Sequence, residues 1–176
     1  MQTPIRIFAC LVLLLATGAT LADKTAGQVV DDTWIHTKVK TALVGFGTTE
    51  INIEVYHGVV QLAGFVKSDT DRQAAARQAA SVSGVVEVRN RLVSQPAPRS
   101  AGQLLDDGIM AGEVKSALAD DDRTSAFDIN VEVRNAVVLL SGFVDSVGEA
   151  QIAMEVARAQ DNVQDVINGM DVKPDK

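Results

Sequence analysis

The chain has 176 residues, 47% of them apolar and 22% charged, with a formal net charge of −7 and a single cysteine, Cys10. That length suits one ordinary domain or two small ones. No basic patch interleaved with aromatics is present to meet a phosphate backbone, so a nucleic-acid partner is not expected.

Residues 1–22 read as a secretory signal peptide. Arg6 supplies the positive start, Ile7 to Leu15 the apolar run, and Thr20-Leu21-Ala22 the small residues before a cleavage near Ala22. The run is too short to span a bilayer. Cys10 lies inside it, with Ile7-Phe8-Ala9 ahead of it rather than a small-residue box, so it is read as discarded rather than lipidated. The mature chain then has no cysteine, which excludes disulfides, thiolate catalysis and cysteine metal sites together. No later segment is apolar enough to span a membrane, and a periplasmic destination is expected.

After the leader the chain repeats itself. AGQVVDD at Ala26–Asp32 is answered by AGQLLDD at Ala101–Asp107, an offset of 75, and VVQLAGFVKS at Val59–Ser68 by VVLLSGFVDS at Val137–Ser146, an offset of 78. The second copy therefore carries three extra residues between Leu118 and Ile129. A unit of this length is too long for a solenoid repeat and long enough for a small domain. The expected organisation is a domain at 25–94, a linker at 95–99 around Gln95-Pro96-Ala97-Pro98, and a second domain at 100–173.

Each copy opens on a helix signal. Thr25 and Ser100, each three residues before a glutamine, fit a capping box, and Asp31 and Asp32 are alternative caps for a later start. Ile35, Val39, Ala42 and Leu43 then recur on one helical face, and Met110, Val114, Ala117 and Leu118 repeat the spacing. Alternation at Ile51, Ile53 and Val55 marks a half-buried strand, and the run Val59–Val66 a central one. Between them His57 and Asn135 share a turn slot suited to positive φ. Gly64 and Gly142 sit late in the second strand, where a missing side chain permits close approach. Ser68 and Ser146 announce a second, alanine-rich helix that Gly84 or Asn162 ends. A last strand follows at Val85–Val93 or Val163–Val172. The fold class is α+β: two tandem α-β-β-α-β domains, each a three-stranded mixed sheet with two helices on one face.

The runs Asp31–Leu43, Ile53–Val66 and Gly84–Leu92 resemble the BON domain. The second copy matches the first two runs and departs at the third, with Asn162 for the glycine and Met170 for the leucine. A leader followed by two such copies is similar to the osmotically inducible tandem-BON proteins of the periplasm. It is also similar to the dual-BON outer-membrane lipoproteins, without their acylated cysteine. The resemblance implies an exported, non-enzymatic protein of the envelope stress response and a domain surface that binds anionic phospholipid.

Candidate chemistry is sparse. His36 and His57 have no metal-ligand spacing and no nucleophile beside them. Ser141 is answered by Ala63 in the other copy and is no nucleophile elbow, and the acidic run Asp120–Asp122 with Asp128 lacks the spacing of a calcium loop. No cofactor, metal site or catalysis is expected. The copies differ most in charge. Residues 32–94 hold seven basic and six acidic side chains, a net of +1; residues 107–172 hold four and thirteen, a net of −9. Trp34, the only tryptophan, lies off the core stripe beside Val30 and Lys38, with His36 and Lys40 nearby. A tryptophan among lysines suits a helix resting on an anionic membrane surface, so Val30, Trp34 and Lys38 form the candidate lipid site. The alternative is that Trp34 packs on the sister copy or a sheet edge. The alternative function is a periplasmic holdase-like or scaffolding protein that binds other envelope proteins.

Overall fold

A computed structural model describes residues 26–46, 51–95 and 98–174, with the side chains of 26–30 left out. The leader with Cys10, the Thr25 cap and the side chain of Val30 thus lie outside the described residues. The first copy runs α1 (Ala26–Ala42), β1 (Ile51–Tyr56), β2 (Val59–Val66), α2 (Asp69–Ala80) and β3 (Glu87–Ser94). The second runs α3 (Ala101–Asp120), β4 (Asn130–Arg134), β5 (Val137–Val144), α4 (Val147–Arg158) and β6 (Asp165–Val172). In each sheet the central strand pairs antiparallel with its hairpin partner and parallel with the strand beyond the helix, orders β1-β2-β3 and β4-β5-β6. This is the expected α-β-β-α-β mixed sheet.

The caps are where the hydroxyls stand. Ser100 forms a full capping box with Gln103, and Ser68 and Ser146 accept from the N–H groups of Asp71 and Glu149. Asp31 and Asp32 are not caps, because α1 begins at Ala26 and both lie inside it. The predicted stripe Ile35, Val39 and Leu43 is buried with Val60, Leu62, Val66 and Leu92 in one core, and Met110, Val114 and Leu118 with Val138, Leu140 and Val144 in the other.

The central strands β2 and β5 are buried almost throughout. An antiparallel sheet solvated on one face would alternate; these do not, because the faces away from the helices pack on each other. Ala63 and Phe65 meet Leu139, flanked by Val93 and Ile167. The molecule is therefore four layers deep, helices outside and two sheets back to back.

Polar groups join the sheets inside this layer. Gln61, 1% exposed, donates from Nε2 to the Gly142 carbonyl (3.2 Å) and the Asp171 carboxylate (2.7 Å), while its Oε1 accepts from the Gly142 N–H (2.7 Å). The Arg91 guanidinium donates to both oxygens of Asp171, and Arg89 lies 3.7 Å from the same carboxylate. The side chains of Gln61, Arg91 and Asp171 have no like counterpart. Position 139 is Leu, 169 is Gly and 93 is Val. This buried triad is built where the copies diverge. Gln61→Leu leaves the buried Gly142 N–H without its acceptor and takes one of the donors from Asp171, so it should cost about 2–3 kcal/mol. Calorimetry should then show two transitions in place of one.

The same carboxylate gives stability a pH dependence. Burial alone would push the Asp171 carboxyl up, but its hydrogen bonds from Arg91 and Gln61 outweigh that and hold it below its ordinary value of 3.8. A depressed carboxylate stabilises the fold fully above the unfolded value and loses that contribution as pH falls through the folded one. An acid titration of the unfolding midpoint from pH 5 downward should therefore be shallower in Asp171→Asn than in the wild type.

Candidate functional site

Helix α1 is locked to the hairpin by one side chain. Asp32, buried on its inner face, accepts from the N–H groups of His57 (3.0 Å) and Gly58 (2.9 Å). In the second domain Asp107 accepts from Asn135 and Ala136, both at 3.0 Å. The turn residues have positive φ in both copies: His57 and Asn135 at 52°, Gly58 at 78° and Ala136 at 61°. A turn with both central residues at positive φ matches the twist of the strands it joins. Its two N–H groups point at the helix, where the carboxylate satisfies them. His57 is used in this way and stacks on Tyr56 at 4.5 Å.

With the inner face anchored, the rest of α1 faces outward. Trp34 is 60% exposed, so it packs neither on the sister domain nor on a sheet edge. Lys38 Nζ lies 5.2 Å from its ring centroid and donates to the Ser83 carbonyl (3.3 Å) in the loop before β3. Along the same outer face Thr33, Thr37, Lys40, Thr41 and Val44 are exposed. Val30 belongs to the same helix, and its side chain is outside the described residues. Val86, in the loop that Lys38 reaches, is also exposed and was not singled out from the sequence. Its only signal was an apolar pair, Val85-Val86, one of which must face out of the strand that follows.

The remaining candidates do not converge. Asp121 bonds the side chain and backbone N–H of Arg123, which hold its carboxyl down to about 2. Asp128 pairs with Lys173 at 3.0 Å. Among the described residues no group of acidic, histidine or cysteine side chains could hold a metal ion. Gly142 has φ 118°, and a Cβ there would collide with the Asp128 carbonyl; Gly64 has φ 123° at the equivalent place.

The motif runs on these elements match a known family. The BON domain profile covers residues 31–96 and again 106–174. The chain belongs to the BON domain family. Among curated BON relatives, the Osmotically-inducible protein Y of Escherichia coli (strain K12) is 34% identical over 84% of this chain and 75% of its own length. The outer membrane lipoprotein DolP of Haemophilus influenzae is 30% identical over 90% of this chain and 86% of its own. A solved structure of CdsD, a structural protein of the type III secretion system of Chlamydia trachomatis, overlaps 80% of this chain and 92% of its own at a TM-score of 0.36 and 11% identity. So loose an overlap carries no argument about this protein. In each BON domain here one aspartate ties the first helix to the hairpin turn. Among the described residues no helix is long and apolar enough to cross a membrane.

Proposed function

We propose that this is an exported, non-enzymatic protein of the cell envelope that acts under osmotic or related stress by resting its first BON domain on anionic phospholipid. The contact is the outer face of α1, through Val30, Trp34 and Lys38. The observation that carries this reading is the exposed Trp34 indole with the Lys38 ammonium beside it. An amphipathic ring seats at headgroup depth, and each lysine near an anionic surface contributes about 1 kcal/mol. The printed names of the two relatives, one osmotically inducible and one an outer-membrane lipoprotein, support the cellular setting.

Flotation with phosphatidylglycerol and with phosphatidylcholine vesicles tests it. Binding is expected on the anionic vesicles and should weaken as salt rises. Trp34→Ala combined with Lys38→Glu should reduce it about tenfold or more, given roughly 2 kcal/mol for the charge reversal alone. Binding that is absent, or indifferent to the double substitution, would sink the reading.

A further inference from the structure

In the second domain a cleft opens between the first helix and the loop before the last strand. At the equivalent place in the first domain Lys38 crosses from the helix to the Ser83 carbonyl. By the repeat offsets, the second domain has Glu113 where the first has Lys38, and Asp161 where the first has Ser83. A bridging cation has been replaced by two carboxylates, and none of the side chains lining this cleft is basic. Among the described residues no cation pairs with Glu113, Asp161 or the neighbouring Asp106. The cleft stands open, with a volume of about 910 Å³ and an apolar lining from Ile109, Met110 and Val163. Asn135 and Ala136 of the hairpin turn line it as well. Beside it on α3, Leu104, Leu105 and Ile109 are exposed.

We propose that this cleft binds a protein segment in which a lysine or arginine stands next to an apolar side chain. The cation takes the place between Glu113 and Asp161 that Lys38 occupies in the first domain. The apolar neighbour covers Ile109 and Leu105. The net charge of −9 over residues 107–172 steers a basic segment toward the cleft and an anionic headgroup away from it. This inference is independent of the lipid reading, which uses the other domain and the opposite charge, so either can fail alone.

The test is a lipid-free titration of the mature chain with a fluorescein-labelled peptide, Gly-Lys-Leu-Lys-Trp-Lys-Gly, read by fluorescence anisotropy. Saturable binding is expected at low salt, weakening as salt rises. Glu113→Gln with Asp161→Asn should weaken it about tenfold, as expected for two charges at a partly desolvated contact. Both positions are solvent-exposed, so the variant should keep the wild-type Tm. Equal affinity for a peptide with glutamate in place of lysine would overturn the proposal, as would indifference to the double substitution. So would peptide-free flotation of the chain on phosphatidylglycerol vesicles that the double substitution abolishes, which would make the cleft a lipid site. A self-association of the chain alone that the double substitution abolishes would make a second copy the occupant and overturn it too.

Discussion

A chain carrying Gly142→Ala is expected to lose about 2–5 kcal/mol of stability, much of the margin of a small domain. The cost has two sources. Gly142 has φ 118°, a region where an L side chain is strained by about 1–2 kcal/mol. Its new Cβ would also overlap the Asp128 carbonyl oxygen and stand 3.1 Å from the carbonyl carbon. That neighbour is backbone at the entry to β4, so relief requires moving the strand, an overpacking cost of about 1–3 kcal/mol. The strain spreads across the molecule, because the N–H and carbonyl of Gly142 are both held by Gln61 of the other domain. Gly108→Ala is the control. Nothing lies within 4 Å of its Cβ position, and a helical glycine replaced by alanine should gain about 0.5–1 kcal/mol. Urea unfolding of the two variants should therefore shift in opposite directions. A Gly142→Ala midpoint equal to wild type would refute the collision argument.

Asp107→Ala should be nearly as damaging, at about 3 kcal/mol. Its carboxylate satisfies the N–H groups of Asn135 and Ala136, and Arg99 lies 3.5 Å away. Removing it leaves two donors without partners at a turn that already holds Ala136 at φ 61°, and each orphaned buried donor costs about 1–3 kcal/mol. Asp107→Asn keeps one acceptor oxygen and should cost about half as much. Equilibrium denaturation ranks the three proteins, and an asparagine variant as unstable as the alanine one would show that charge, rather than the two hydrogen bonds, anchors the turn. Unfolding should begin at the helix–hairpin contact, seen as early loss of amide protection at Asn135 and Ala136.

How far these features were legible depended on distance along the chain. The helix stripes, the turn slot of His57 and Asn135, and the late-strand glycines follow from the conformations of chain neighbours, so the sequence displays them. The aspartate pair reads only as an alternative cap for the same reason: the partners of Asp32 are 25 and 26 residues away, and an aspartate early in a helical stretch looks local. The exposure of Trp34 was suggested by its place off the stripe, whereas its contact with Lys38, and the reach of Lys38 to Ser83, needed the loop to be placed. Val86 went unnoticed because an apolar residue in a loop looks like the start of a strand. The charge contrast between the copies was plain, but that it includes Lys38 giving way to Glu113 across an open cleft was not.

The sequence by itself determined that two copies of one α-β-β-α-β unit would form, with their cores, turns and strand order, because periodicity and turn chemistry are settled within a few residues and stated twice. Only the tertiary structure decided what covers the second face of each sheet. Gln61, Arg91 and Asp171 carry no local signal of pairing: they come from strands of different copies, at positions where the copies disagree. A buried polar residue in a central strand requires a partner, yet nothing in its neighbours says that the partner lies in the other domain. The repeated residues fold each unit, and the unrepeated triad Gln61, Arg91 and Asp171 joins the two where they are buried.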